Sequence, residues 1–170
     1  YIWEQLSHDQ LSACMIADGF HLPDSIMKVF IKVKAEQLLL VSDAVYLGGL
    51  DPGDYNTHIG GRVVLTEEGR LHLADEPGLL AGSVKLLKAG IEHLVKSGLC
   101  SQAEAWDMAS IHPASIMNLA TARGLVQGAQ ADLITFSWDH NDMLVLHDVY
   151  NQGDHMSVTG SNDSNSSSQD

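Results

Sequence analysis

Two short apolar runs, separated by a segment of helical periodicity, form the clearest pattern in the N-terminal part of the chain. The runs are Ala13-Cys14-Met15-Ile16-Ala17 and Leu38-Leu39-Leu40-Val41, and between them Ile26, Val29, Phe30 and Val33 recur at helical spacing after Pro23 and Asp24. Apolar runs of this length are typical of buried parallel strands, and parallel strands need a crossover connection such as a helix. Residues 13–44 are therefore predicted to form a strand, a helix and a second strand parallel to the first.

The middle of the chain follows a different pattern. Residues 48–54 are rich in glycine and polar side chains, which predicts a loop. Residues 62–66 and 70–73 alternate around Glu67-Glu68-Gly69, which predicts a β-hairpin. This hairpin, near residues 60–75, interrupts the strand and helix rhythm as an insertion would.

Three helices, two strands and a polar tail are predicted after the hairpin. Ser83 is placed as the N-cap of a helix that ends at Gly98, and Ser101 with Glu104 has the spacing of a capping box for the next helix. Pro113 suits the first turn of the third helix. Strands are predicted at 131–138 and 143–150, and the Gly, Ser, Asn and Asp composition of residues 154–170 predicts a disordered tail.

Composition narrows the possible partners. The 170 residues, 45% of them hydrophobic, suffice for a domain with a core, and the net charge of -13 argues against binding to a nucleic-acid backbone. Cys14 and Cys100 lie far apart without a Cys-x-x-Cys spacing, which favours a reducing, cytoplasmic setting. No apolar stretch approaches the ~20 residues of a membrane-spanning helix, so no membrane partner is expected.

Two polar residues follow the ends of the predicted parallel strands. Asp43 is the first charged residue after the second apolar run, and His21 follows the first run. Active sites of barrel enzymes lie where the carboxyl ends of parallel strands meet, so both residues are candidates for such a site. From spacing alone, catalysis and the capping of a turn explain Asp43 equally well, while an exposed loop position is favoured for His21. The other histidines show no metal-binding spacing.

Five phrases occur in an order that resembles the C-terminal half of the N-acetylglucosamine-6-phosphate deacetylases, which belong to the metal-dependent amidohydrolase superfamily. They are Ile16-Ala17-Asp18-Gly19-Phe20-His21, Leu40-Val41-Ser42-Asp43-Ala44, Leu80-Ala81-Gly82-Ser83, Ala109-Ser110-Ile111-His112-Pro113-Ala114 and Gly128-Ala129-Gln130-Ala131-Asp132-Leu133. The resemblance implies an α/β fold. Residues 1–124 would be the C-terminal part of a (β/α)8 TIM-type barrel, and residues 125–153 would be strands of a small β-sandwich.

The resemblance also implies an activity and a set of site residues. The family removes the acetyl group of N-acetylglucosamine 6-phosphate, in amino-sugar catabolism, to give glucosamine 6-phosphate and acetate. Asp43 would be the catalytic acid and base and a possible metal ligand, while His21 and Ala81-Gly82-Ser83 would contact the sugar. The implied cofactor is a divalent metal ion, zinc or similar, whose main ligands, a Glu and two His, are expected upstream of these residues.

Departures from the family pattern leave alternatives open. Ser42 stands where the family usually has Thr, and His112 stands where relatives often have Asn, a position predicted to cap a helix. Without the upstream ligands the chain alone is expected to be inactive, with the missing N-terminal half or further copies of itself as partners. The alternatives are a truncated or diverged module without catalysis, and an amidohydrolase that acts on a different amide.

Overall fold

The computed structural model describes residues 1–58 and 61–158, and the chain divides into two compact units, Tyr1–Ala122 and Arg123–Asp170. The first unit contains α1 (Ile2–Ser7), β1 (Ala13–Ile16), α2 (Asp24–Lys34), β2 (Leu38–Val41), β3 (Gly53–Thr57), β4 (Gly61–Leu65), β5 (Arg70–Leu73), β6 (Leu80–Ser83), α3 (Leu87–Lys96), α4 (Gln102–Ala109) and α5 (Ile111–Ile116). The second unit contains β7 (Leu133–Trp138), β8 (Leu144–Asn151) and β9 (Asp154–Met156).

The strand, helix and strand predicted for residues 13–44 are confirmed as β1, α2 and β2. The two strands pair in parallel from Ala13 opposite Leu38 to Ile16 opposite Val41. Apolar side chains from all three elements are buried, namely Met15, Met27, Phe30, Leu38 and Leu40. Burial of these side chains is the main force that holds the helix against the two strands.

A buried lysine fastens the start of the chain to α2. Lys34 is only 4% exposed, yet its ammonium group donates to the carbonyl oxygens of His8 and Leu11, each at 2.8 Å. These bonds compensate for part of the free-energy cost of burying the charge. The connection between α1 and β1 is therefore held in place by the last turn of α2.

The predicted hairpin is part of a larger antiparallel sheet of order β3-β4-β5-β6. β4 and β5 form the hairpin, and its turn is closed by the amide of Gly69, which donates to the Thr66 carbonyl at 3.0 Å. The predicted loop at 48–54 is wrong at its end, because β3 begins at Gly53. Apolar side chains of this sheet and of the segment before it form a buried cluster of Leu47, Val63, Leu65 and Leu71.

The three helices after the sheet occur, with two corrections to the predicted caps. Ser83 belongs to β6, its hydroxyl accepts the amide of Lys85 at 3.3 Å, and α3 begins only at Leu87, with Leu86 at the N-cap position. The capping box of Ser101 and Glu104 is confirmed. His112 is not a cap: it lies within α5, and its Nδ1 donates to the carbonyl oxygen of Leu38 at 2.8 Å, which joins α5 to β2.

The second unit is a three-stranded antiparallel sheet of order β7-β8-β9. β7 and β8 match the strands predicted from the sequence to within two residues at each end. The predicted tail is corrected at its start, since Asp154–Met156 form β9. Its side chains are exposed, so backbone pairing with β8 after the turn at Gln152 and Gly153 defines this strand. Residues 159–170 of the predicted tail lie outside the described residues.

In the described part of the chain, no helix has the length and apolar character needed to cross a membrane.

Candidate active site

The two parallel strands end together. Ile16 pairs with Val41 as the last residue pair of the ladder, and an aspartate follows each of them two residues later, Asp18 after β1 and Asp43 after β2. The segments that carry the predicted His21 and Asp43 therefore leave the same edge of the sheet. This edge is where chemistry takes place in proteins built on parallel strands.

Asp43 is exposed and has a left-handed backbone, with φ of +45°. Among residues other than glycine, asparagine and aspartate adopt this conformation most readily. The two residues after Asp43 are held by Ser83. The amide of Val45 donates to the Ser83 carbonyl at 2.8 Å, and Ala44 forms a parallel bridge with Ser83. The residues that follow Asp43 are thus anchored to the end of β6.

The segment Ala81-Gly82-Ser83, predicted to contact the sugar, forms most of strand β6. Gly82 has φ of +113°, and a Cβ atom at this position would lie 2.7 Å from Cγ1 of Val45. Only glycine allows these two segments of the chain to approach this closely. The absence of a side chain at Gly82 therefore brings the end of β6 against the residues that follow Asp43.

Asp18 organises the loop after β1. Its carboxylate accepts the amides of Phe20 at 2.9 Å and His21 at 3.0 Å, and its second oxygen lies 2.8 Å from Nδ1 of His21. Burial raises the pKa of Asp18, but the two backbone hydrogen bonds and the contact with His21 outweigh burial, so the pKa lies below its ordinary value. Asp18 thereby orients the imidazole of His21, whose side chain is 24% exposed.

A shallow cavity lies at this edge of the sheet, and its roughly 170 Å³ of empty space is partly open solvent. It is lined by Ile16, Ala17, Asp18, Val41 and Ser42 from the two strand ends, and by Lys85, Leu86, Leu87 and Gly90 around the start of α3. None of the five predicted site residues, Asp43, His21 and Ala81-Gly82-Ser83, is among the described residues that line the cavity. Asp43 directly follows Ser42, however, and His21 contacts Asp18. The cavity thus lies beside both predicted residues.

Two polar residues of the cavity wall, Asp18 and Lys85, were not among the site residues predicted from the sequence. Asp18 carried a usable signal, because it is the first charged residue after the first apolar run, as Asp43 is after the second. Lys85 carried none, since it lies in a segment assigned to a helix. Its Nζ lies 4.7 Å from the centre of the Phe20 ring, within the range of a cation–π contact.

The described residues do not complete a metal site. Within residues 1–58 and 61–158, no group of three or more His, Cys, Asp or Glu side chains could hold a metal ion. Asp43, the predicted possible ligand, therefore has no set of co-ligands in the described part of this chain.

Replacement of Asp18 by asparagine is expected to destabilise the fold by about 1–3 kcal/mol at neutral pH, because a buried hydrogen-bonded carboxylate is lost. The pKa of Asp18 is lowered from 3.8, so its carboxylate stabilises the folded state above that pH, and this stabilisation disappears as the pH falls through the lowered value. Urea unfolding across the acid range should show the difference between parent and Asp18→Asn shrinking as the pH falls. Asp54→Asn, an exposed position in β3, is the matched control, and a difference that does not change with pH would contradict the assignment.

The fold occurs in solved deacetylases of acetylated sugar phosphates. The N-acetylglucosamine-6-phosphate deacetylase of Pasteurella multocida superposes with a TM-score of 0.75 at 22% identity, over 90% of this chain and 38% of that one. The corresponding Thermotoga maritima structure gives a TM-score of 0.74 at 25% identity, over 89% of this chain and 40% of that one.

Curated relatives agree with this class. N-acetylglucosamine-6-phosphate deacetylase of Danio rerio is 29% identical over 140 residues, which cover 82% of this chain and 33% of that protein. An Escherichia coli (strain K12) protein, provisionally named N-acetylgalactosamine-6-phosphate deacetylase, is 31% identical over 121 residues, or 71% of this chain and 70% of that protein. No protein-family model matches the sequence. The chain belongs to the N-acetylglucosamine-6-phosphate deacetylase family, and it spans about a third of the length of the first of these relatives.

Proposed function

We propose that this chain is the C-terminal part of an enzyme that hydrolyses the acetamide of N-acetylglucosamine 6-phosphate to glucosamine 6-phosphate and acetate. The observation that carries the proposal is the common edge of β1 and β2, where Asp18 with His21 and Ser42 with Asp43 flank one cavity. Membership in the deacetylase family supplies the reaction class. The substrate is assigned by analogy with the relatives, because a fold alone does not fix it.

Asp43 is proposed to move the proton during amide hydrolysis. The reaction needs a base that takes a proton from the attacking water and an acid that returns a proton to the departing amine, and one carboxylate can perform both steps. Asp43 is exposed at the strand end, so water and substrate can reach its carboxylate. Its left-handed backbone is a strained conformation of the kind that clusters at functional sites.

His21 and the segment Ala81-Gly82-Ser83 are proposed to position the sugar. The imidazole of His21 is held through Nδ1 by Asp18, which leaves Nε2 directed away from that contact for a sugar hydroxyl. The small residues of β6 leave room for close approach to the backbone. Together they would orient the substrate, and orientation contributes to the rate by removing the need to align the reactants.

The remaining parts of the assembled enzyme are also proposals. Each of the two parallel strands pairs on one side only among the described residues, and strands from the N-terminal region of the family would complete a TIM-type barrel. That region, or a second copy of the chain, is the expected partner. The divalent metal ion of the family is assigned no step here, because the described residues do not form its site. The two free cysteines support a reducing, cytoplasmic setting.

N-acetylgalactosamine 6-phosphate is the second candidate substrate. It differs from the first in the configuration of one hydroxyl group. The Escherichia coli (strain K12) relative, of which this chain covers 70%, carries the name of the galactosamine enzyme. A direct comparison of the two sugar phosphates decides between them.

The test is release of acetate by the chain alone and by the chain joined to the N-terminal region of a curated relative such as the Danio rerio deacetylase. Acetate and free amine should appear only with the joined protein. They should appear faster from N-acetylglucosamine 6-phosphate than from its galactosamine counterpart or from N-acetylglucosamine. Metal analysis of both preparations accompanies the assay, with metal expected only in the joined protein.

Each other outcome has a definite meaning. Metal-dependent activity of the chain alone would contradict its assignment as a part of the enzyme. A folded joined protein that binds metal but hydrolyses none of the three sugars would contradict the proposed substrate class. A folded protein without metal and without activity would favour a module that has lost catalysis.

A further inference from the structure

The two oxygens of Asp18 have different partners. Oδ1 accepts the amides of Phe20 and His21, at 2.9 Å and 3.0 Å, while Oδ2 lies 2.8 Å from Nδ1 of His21. The residue is only 6% exposed. Because the two amides hold Oδ1, the carboxylate cannot rotate without breaking buried hydrogen bonds, and its orientation toward the imidazole is fixed.

The contact between Asp18 and His21 determines which ring nitrogen carries the proton. Burial raises the pKa of Asp18, but the amides of Phe20 and His21 and the imidazole lower it by more, so the carboxyl group is ionised at neutral pH. An ionised carboxylate only accepts hydrogen bonds, so Nδ1 of His21 has to be the donor. In the neutral imidazole, Nε2 then carries the lone pair.

The loop that carries His21 is also held at its far end. His93 of α3 has its Nε2 2.9 Å from the Asp24 carboxylate, and a Cβ atom at Gly19 would lie 3.5 Å from its ring. The path of the loop therefore does not depend on Asp18 alone. Asp24 contacts the opposite ring nitrogen of its histidine, so the same reasoning predicts the opposite tautomer for His93.

We propose that Asp18 is a positioning residue that fixes the proton of His21 on Nδ1, so that Nε2 accepts a hydrogen bond from a hydroxyl group of the sugar. The sugar contact rests on the proposed function, whereas the tautomer follows from the contacts of Asp18. A lone pair on Nε2 binds a hydroxyl donor but not an oxygen that can only accept, such as that of a carbonyl group or a phosphate. His21 would thus face a hydroxyl group and neither the acetyl carbonyl nor the phosphate.

Asp18→Asn is expected to move the proton of His21 to the other nitrogen. The amides of Phe20 and His21 only donate, so the asparagine carbonyl oxygen has to face them. The NH2 group then faces Nδ1 and donates to it, which makes Nδ1 an acceptor and places the proton on Nε2. Nε2 can then no longer accept a hydrogen bond from the sugar.

The first measurement is a two-bond ¹H–¹⁵N NMR spectrum of the full ¹⁵N-labelled chain, at a pH where the imidazole rings are neutral. The parent should show His21 protonated on Nδ1 and His93 protonated on Nε2, and Asp18→Asn should show His21 protonated on Nε2. Loss of a signal in His21→Gln assigns the ring. The parent spectrum is informative even if Asp18→Asn does not fold.

The second measurement is the kinetics of the joined deacetylase. Asp18→Asn should lower kcat/KM by about tenfold, the effect expected for one lost hydrogen bond. Most of the change should be a higher KM, because a hydroxyl group that does not react is held equally in substrate and transition state.

Asp24→Asn is the matched control, since it makes the same change at the other aspartate–histidine contact of this loop. It should leave the His21 signals unchanged and kcat/KM within about twofold of the parent. Chemical unfolding shows whether each variant retains the fold.

The possible results separate this proposal from the proposed function. A parent His21 protonated on Nε2, or a tautomer unchanged in folded Asp18→Asn, overturns the role of Asp18. An inverted tautomer with an unchanged KM overturns the sugar contact through Nε2. A joined parent enzyme that hydrolyses no acetylated sugar contradicts the proposed function, and the spectra still decide whether Asp18 fixes the tautomer.

Discussion

Asp43→Asn is expected to lower kcat of the joined, active deacetylase by about 10²–10⁴-fold, the range over which positioned general acid–base groups contribute. Asparagine has the same shape as aspartate but cannot take up and return a proton. It also tolerates the left-handed backbone of Asp43, so the fold should be retained. The measurement is the rate of acetate release at saturating N-acetylglucosamine 6-phosphate, with KM determined alongside.

Two comparisons make the Asp43 result specific. Asp54→Asn removes the same charge at an exposed position in β3 and should leave kcat within about twofold, because surface substitutions away from a site have small effects. Asp43→Ala should lose activity as well as some stability, since alanine adopts the left-handed conformation at a cost of about 1–2 kcal/mol. If the Asp43→Asn enzyme has the same kcat as the parent, Asp43 stabilises the turn after β2 and takes no part in the reaction.

Gly82→Ala is expected to destabilise the first unit by roughly 2–5 kcal/mol, through backbone strain and overpacking together. The new Cβ would lie 2.7 Å from Cγ1 of Val45, and φ of +113° disfavours any residue other than glycine. Chemical unfolding of the parent and variant measures the loss. Because Ser83 anchors Ala44 and Val45, the variant should also lower the activity of the joined protein.

Three further variants separate the two causes of the Gly82 effect. Gly49→Ala has φ of +86° with open space around the new Cβ, so it reports strain alone. Gly78→Ala has open space without a left-handed backbone and should be nearly neutral. In the Val45→Ala/Gly82→Ala pair, the smaller side chain removes the clash, so the double variant should lose about 1–2 kcal/mol less than the two single changes together. Strict additivity would contradict the clash between Gly82 and Val45.

The parallel unit of β1, α2 and β2 could be predicted from the sequence because the residues that favour each strand or helix are also the residues that pack in its core. The runs at 13–17 and 38–41 are apolar throughout, as strands covered on both faces require, and the intervening helix has a clear apolar face. The capping box at Ser101 and Glu104 is equally local, since both of its hydrogen bonds are made within one turn. In these segments the sequence pattern and the packing agree.

The parts that were not predicted depend on contacts between distant residues. β3 is Gly-Asp-Tyr-Asn-Thr and β6 is Leu-Ala-Gly-Ser, so neither contains Val, Ile or an apolar run that would predict a strand, and both are defined by their pairing partners. Ser83 satisfies the residue preference of a helix cap, but pairing in β6 places it too early. The position of Lys85 in the cavity wall likewise results from the turn at Gly69 and the loop at Phe20.

The bridge between Ala44 and Ser83 has a consequence for how the site is assembled during folding. Its two residues are far apart in sequence, and a direct encounter would require the closure of a long loop. The strands β3 to β6 form a meander in which each strand pairs with its neighbour along the chain, so successive short-range steps can carry Ser83 back to Ala44. The surroundings of Asp43 should accordingly become ordered after the meander, and substitutions at the bridge should accelerate unfolding more than they slow folding.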